Sequence, residues 1–357
     1  MRAVTVVPGE KDSLRLQDVP DPDARMGEAI VRVIQAGLCG TDAEITAGLY
    51  GEAPPGSPYL ILGHENLGVV DSAPDGSPLA RGDLVVSTVR RPCPEACLPC
   101  ASGQNDMCLT GHYRERGIQA LHGFMSQYYA EDPRFMVRVP PHLKPVGVLV
   151  EPMAVAQKGL EQAFRIQQRM SWQPRQAVVL GAGPVGILAA AALRIRGLEV
   201  VVVSRESEGS ARDGLLRDAG IRYMSTTVTA VEDLPRRLGD IDLVFEATGA
   251  APVIAPAMSI LGRNGVCILA SVTEVGRKTE MDLGAWNRLM VLGNRLVFGT
   301  VNAGRRHFEA AVRDLESAEE RRPGWMAGLI TRRLSFTETA RALRREPSDI
   351  KTVLDFP

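Results

Sequence analysis

A glycine-patterned turn at 181–186 narrows the possible folds more than any other feature of the chain. Gly181-Ala182-Gly183-Pro184-Val185-Gly186 follows the apolar run Ala177-Val178-Val179-Leu180 and opens a helical pattern over 187–196. Glycine at the first position allows a tight turn, at the second lets backbone approach a pyrophosphate, and at the third lets helix pack close on strand. The start of the helix then offers free N–H groups to the anion. A lone pattern of this kind would be weak, but a second apolar strand follows at 199–203.

Further apolar runs at 242–246 and 266–270 alternate with helical patterns, including 252–261, which Pro256 interrupts. Strand–helix alternation with runs of Val, Ile and Leu reads as a parallel sheet covered on both faces. The expectation is a Rossmann-type, doubly wound dinucleotide-binding domain over 154–299. The chain before about 150 has another texture: β-like runs at 29–33, 68–70 and 83–86, separated by turn-forming loops. A helix at 307–319 and a last strand at 352–354 close the sequence. At 357 residues two domains suit the chain. The reading is an α/β protein whose β-rich domain takes 1–153 and 300–357. The arginine-rich segment 331–346 reads as a solvated helical face.

A net charge of −1 offers no basic surface to nucleic acid. The longest apolar run, 177–193, is broken by three glycines and a proline and is shorter than a membrane span of about 20 residues. The opening residues lack the apolar stretch of a signal peptide. A cytoplasmic protein with neither nucleic acid nor membrane as partner is expected.

Four of the six cysteines fall within 93–108 with the spacing C-x3-C-x2-C-x7-C: Cys93, Cys97, Cys100 and Cys108. Four thiolates on one short loop can close a tetrahedron around zinc and leave no open position, which suits a structural site. The same motif would also serve a zinc ribbon in a binding protein. A second set is scattered: Cys39 in Gly-Leu-Cys-Gly-Thr-Asp, His64 and Glu65 in Gly-His-Glu-Asn, and Glu151. Each has an ordinary explanation alone, as core thiol, loop histidine or helix-start carboxylate. Spacing leaves their convergence open.

Cofactor choice turns on the end of the strand at 199–203. An acidic residue about 20 residues past the loop would bond a ribose 2′-OH; here Ser204-Arg205 stands there, followed by Glu206. Serine and arginine can bond a 2′-phosphate that a carboxylate would repel. NADP is therefore expected over NAD, with a plain surface role for Arg205 as the alternative.

Taken together, the Cys-Gly-Thr-Asp, Gly-His-Glu, four-cysteine and Gly-Ala-Gly-Pro-Val-Gly segments resemble the zinc-dependent medium-chain dehydrogenase/reductase family. The resemblance extends to its glucose 1-dehydrogenase branch through Val89-Arg90-Arg91-Pro92, Arg114-Glu115-Arg116-Gly117-Ile118, His122-Gly123-Phe124-Met125, Gly299-Thr300-Val301-Asn302 and Asp349-Ile350-Lys351. It spans nearly the whole chain and implies a GroES-like catalytic domain beside the dinucleotide-binding one. There are two departures. One residue more than usual separates Cys93 from Cys97, and Val155 stands where the branch often has an acidic residue.

The resemblance implies two zinc ions per chain, one held by the four cysteines and one by Cys39, His64 and Glu151, with Glu65 beside that metal. Thr41 would pass the substrate proton toward solvent. Glu115, Glu151 and Asn302, with Thr41 and Glu65 close by, would meet sugar hydroxyls. Cofactor contacts would come from Gly181, Gly183, Pro184, Val185, Gly186, Ser204, Arg205 and Glu206. Further contacts would come from Thr248, Leu269, Ala270, Ser271, Thr300, Val301, Asn302 and Lys351. The implied reaction is hydride transfer from a sugar hydroxyl, C1 of an aldose such as D-glucose, to NADP or NAD, in a homodimer or homotetramer. A polyol or secondary-alcohol dehydrogenase of the same family is the nearest alternative. A non-catalytic nucleotide-binding redox sensor is the alternative from another class.

Overall fold

The computed structural model describes every residue except 274, 275 and 277. Contacts divide the chain into two compact units: Met1–Ala154 with Asn302–Glu316 and Leu329–Pro357, and Val155–Val301 with Ser317–Gly328. Among the described residues no helix is long and apolar enough to cross a membrane.

The first unit is built on a mixed seven-stranded sheet. Its strands run in the order Met136–Arg138, Leu84–Ser87, Glu65–Ser72, Ala29–Gly37, Thr352–Asp355, Arg332–Ser335, with Tyr128–Glu131 also paired to Ala29–Gly37. The long strand Ala29–Gly37 forms because its residues alternate: Ala29, Val31 and Val33 are fully buried while Ile30, Arg32 and Ile34 are partly exposed. Its buried face packs with Val70, Val85, Phe124, Met125 and Leu354 into one core. A register shift after Val33 brings Gly37 opposite Glu65. A Cβ on Gly37 would lie 1.9 Å from Glu65 Oε2, so only glycine leaves that carboxylate its seat.

A buried ion group braces the same unit. Arg91 and Arg116 both donate to Glu131, with Arg91 stacked 4.2 Å from the Phe135 ring. Burial raises the carboxyl of Glu131, but the two guanidiniums outweigh it and hold the group below the usual range.

The arginine-rich segment does not form the helical face expected of it. Arg332–Ser335 is a strand, paired in parallel with Thr352–Asp355, and only Thr339–Ala342 is α-helical. Leu334 and Phe336 decide this. Leu334 packs against the core, and the buried Phe336 stacks on Phe356 with ring centroids 4.6 Å apart. Arg332 turns to Asp349 at 3.2 Å instead of lining a solvated helix.

The second unit is a six-stranded parallel sheet. Its order is Arg222–Ser225, Glu199–Ser204, Gln176–Leu180, Leu243–Glu246, Val266–Leu269, Leu296–Gly299. In chain order that is 3-2-1-4-5-6, the doubly wound arrangement of dinucleotide-binding sheets. Strands such as Gln176–Leu180 read as unbroken apolar runs because both faces are covered. The helix Pro184–Ile195 is buried over 186–193 and apolar all round, as a fully covered helix should be. The helix Ala251–Ser259 continues past Pro256 and ends within a turn of it. Trp325 belongs to this unit, its indole N–H donating to the Leu215 carbonyl at 2.7 Å.

Candidate active site and metal centres

The Sγ atoms of Cys93, Cys97, Cys100 and Cys108 all lie within 4.8 Å of one another, and all six cysteines of the chain are free thiols. The short helix Leu98–Ala101 carries Cys100 inward, and the 3-10 turn Asn105–Met107 returns the chain to Cys108. The extra residue between Cys93 and Cys97 is absorbed at Ala96, whose φ of 47° is left-handed. Against burial, the hydroxyl and amide of Thr110 bring the Cys108 thiol down to about 6. A thiol so easily ionised is ready to bind a metal. Four converging sulfurs on one loop fit a closed, tetrahedral zinc site.

Cys39, His64 and Glu65 converge as well, their ligand atoms within 4.8 Å of one another. Cys39 caps the helix Gly40–Thr46, while His64 and Glu65 stand at the start of the strand Glu65–Ser72. Nδ1 of His64 is buried and faces the Asp42 carboxylate, the contact that commonly orients a metal-binding imidazole through its other nitrogen. One thiol, one imidazole and one carboxylate brought together from two segments fit a catalytic zinc with an open position.

Glu151, at the start of the helix Val150–Gln167, lies outside that mutually close set but in its field. Burial pushes it up to about 7, with His64 opposing and Glu65 adding to the rise. Thr41 lies on the same helix as Cys39's cap, its hydroxyl accepting from Cys39 Sγ at 3.9 Å. The phenol of Tyr50 lies near Thr41, and burial raises it to about 12.

One further group of this site, Asp42, has no role in the sequence reading. Asp42, fully buried, accepts from the Cys39 amide at 2.9 Å and stands 3.6 Å from His64 Nδ1. It holds His64 well above its ordinary value, against the burial that lowers it. Lys351, expected among the cofactor contacts, is buried in the first unit. Its ammonium pairs with Glu65 and donates to the Leu38 carbonyl at 2.9 Å.

Glu115 and Asn302, expected to meet sugar hydroxyls, are joined directly. Asn302 Nδ2 donates to Glu115 Oε1 at 2.7 Å. Asn302 sits in the left-handed region at φ 62°, held there by its own Oδ1 accepting from Ala303 N.

In the second unit the glycine turn has the form a pyrophosphate needs. A Cβ on Gly186 would stand 2.0 Å from the Gly181 carbonyl, so helix and turn touch there. A Cβ on Gly183 would meet nothing within 4 Å, which leaves open space at the helix N-terminus for a phosphate. Pro184 and Val185 begin that helix. Ser204, Thr248, Leu269 to Ser271, Thr300 and Val301 all lie at or just past the carboxyl ends of parallel strands, where such sheets bind ligands. Ser204 shares a hydrogen bond with Tyr223 at 2.8 Å, and Thr248 donates to Glu246. Arg205 is exposed, and Glu206 is paired with Arg212. Val301 accepts from the Lys158 ammonium at 2.8 Å through its carbonyl.

Residues 25–141 match the family model described as alcohol dehydrogenase GroES-like domain, and 144–356 match glucose dehydrogenase C-terminus. The glucose 1-dehydrogenase of Methanocella arvoryzae is 43% identical over 356 residues, covering 99% of each chain. The chain belongs to the glucose 1-dehydrogenase family. That family is a branch of the zinc-dependent medium-chain dehydrogenases/reductases, as the motifs suggested. The Thermoproteus tenax member is 40% identical over 356 residues, again 99% of each chain. Among solved structures of the family, Haloferax mediterranei glucose dehydrogenase in complex with NADP, Zn and gluconolactone superposes with a TM-score of 0.92. It is 34% identical and covers 100% of this chain and 99% of its own.

Proposed function

We propose that this chain oxidises C1 of an aldose such as D-glucose to the aldonolactone, with NADP preferred over NAD. The observation that carries the reading is the cluster of Cys39, His64 and Glu65 in the same unit as the joined pair Glu115–Asn302. One group suits a catalytic zinc and the other a hydroxylated ligand. The family membership supports both, as does the Haloferax relative with its NADP, Zn and gluconolactone.

Cys39, His64 and Glu65, with Glu151 beside them, would hold the catalytic zinc, and the four cysteines the structural one. A zinc ion in such a site acts as a Lewis acid, lowering a bound hydroxyl's pKa as it lowers that of water from 15.7 to about 7. The nicotinamide supplies the hydride acceptor. The chain's own residues do the rest. Glu115, Asn302 and Glu151 bond sugar hydroxyls and fix which carbon presents its hydrogen. Thr41, in contact with Cys39, takes up the hydroxyl proton and hands it toward solvent. Asp42 and Lys351 orient Cys39, His64 and Glu65 from behind. The pyrophosphate rests on the turn 181–186, and Ser204 and Arg205 receive the 2′-phosphate. The pairing of Glu206 with Arg212 offsets a carboxylate that would repel it. The protein works in the cytoplasm as a homodimer or homotetramer.

Replacing Cys39 with Ser tests the assignment: turnover should vanish while NADP still binds nearly as in the parent protein. Full activity in that variant would remove Cys39 from the catalytic site.

A further inference from the structure

We propose that Arg90 is a positioning residue, locking the four-cysteine loop to the Glu115–Asn302 pair so that the loop sets the geometry of sugar binding. The inference rests on the reading of Glu115 and Asn302 as the sugar-binding pair.

The contacts form a closed ring within the first unit. Arg90 and Arg91 make a two-residue strand whose register sets Arg90 opposite Glu115. The Arg90 side chain is 6% exposed, and its Nε donates to Glu115 Oε1 at 2.9 Å. Its Nη1 reaches the carbonyl of Asp106 at 3.3 Å. The guanidinium lies 3.6 Å over the ring of Tyr113, which fixes its plane. Asp106 sits in the 3-10 turn just before Cys108, so Arg90 is tied to the loop itself. The ring closes on its other side. Asn302 Nδ2 bonds the same Glu115 oxygen, and a Cβ on Gly304, two residues on, would lie 2.7 Å from Asp106 Oδ1. The Asn302 turn therefore rests on the loop that Arg90 grips.

A buried arginine beside a buried glutamate is often only a compensated charge. Two features argue for more here. Both donors converge on Oε1 of Glu115, and no hydrogen bond to Oε2 is made among the described residues, which leaves that oxygen for a sugar hydroxyl. The fork also spans two separate elements, a task that a lysine's single point of charge cannot reproduce.

The test uses zinc-loaded enzyme, with zinc counted per chain and folding checked by circular dichroism. Arg90→Met should raise KM for D-glucose on the order of 10- to 100-fold, the scale of one charge-assisted contact. kcat should stay within about threefold and KM for NADP unchanged, the pattern of lost ground-state positioning. Arg90→Lys should recover part of the loss. In a double-mutant cycle, adding Arg90→Met to Glu115→Gln should cost little more than Glu115→Gln alone. Should Arg90→Met fail to fold, Gly304→Ala probes the ring from the loop side and should also raise KM for the sugar. An unchanged sugar KM in these variants, or effects that multiply independently, overturns the linkage while leaving the function standing. A parent enzyme that turns over no aldose overturns both.

Discussion

Asp42 grips Cys39 through the backbone, Oδ2 accepting from the Cys39 amide at 2.9 Å, while Oδ1 faces His64 Nδ1 at 3.6 Å. One buried carboxylate thus orients two proposed metal ligands, and groups in that position commonly govern metal affinity by 10- to 100-fold. Asp42→Asn should weaken zinc binding at the catalytic site by about that factor and spare the four-cysteine site. Dialysis against a chelator followed by metal analysis should drop the variant from about two zinc ions per chain toward one. Two ions retained as firmly as in the parent would count against this role.

The cofactor preference rests on an exposed arginine at a strand end. Arg205 is exposed beside Ser204, a cation able to meet a 2′-phosphate, while the neighbouring Glu206 is paired with Arg212. Arg205→Ala should raise KM for NADP roughly 10- to 100-fold, the scale of a charge-assisted pair. KM for NAD should change by less than about threefold. Equal losses with both cofactors would contradict the assignment.

Ala96 carries a left-handed backbone on an exposed turn of the four-cysteine loop, a conformation that costs a residue with a Cβ about 1 kcal/mol or more. Glycine has no such cost. Ala96→Gly should therefore stabilise the zinc-loaded protein, by about 1–2 °C in Tm. Ala96→Val should lower it. Differential scanning calorimetry separates the two directions.

His122 sets a pH limit on the first unit. Its Nδ1 accepts from the Ile61 amide at 3.2 Å and its ring stacks on Tyr59. Burial, with Arg116 nearby, lowers it from 6.5 to about 4. The unfolded chain therefore takes up this proton first as pH falls. The stability His122 confers is complete above about pH 6.5 and is lost progressively down to about 4. Tm measured across that window should fall, and His122→Asn should flatten the fall. An identical pH profile in the variant would refute this source of acid sensitivity.

What the sequence disclosed and what it hid follow one physical line. The glycine turn was legible because its chemistry is local: strand, turn and helix are contiguous, and each glycine answers a nearby steric demand. The four cysteines were legible for the same reason. Cys39, His64 and Glu151, with Glu65 beside them, were recognisable as a set only by resemblance, since the sheet register that brings Cys39, His64 and Glu65 together is encoded by no spacing along the chain. Lys351 illustrates the limit. It reaches Glu65 because Val353 pairs with Gly37, and Gly37 in turn pairs with Glu65. Asp42 stood inside a recognised motif, yet its bond to Cys39 and its approach to His64 exist only once the helix Gly40–Thr46 is folded. Misreading 331–346 as a helical face came from weighing its arginines over the apolar pair Leu334 and Phe336, which the core claims.

The proposed activity is that of a zinc-dependent aldose dehydrogenase working with NADP. Initial rates of purified, zinc-loaded protein on a panel of aldoses, sugar alcohols and simple secondary alcohols, each with NADP and NAD, test it most directly. D-Glucose with NADP should give the highest kcat/KM, or a close aldose should match it, with lactone as the product. Turnover confined to sugar alcohols or simple alcohols, or none with any aldose, would contradict it.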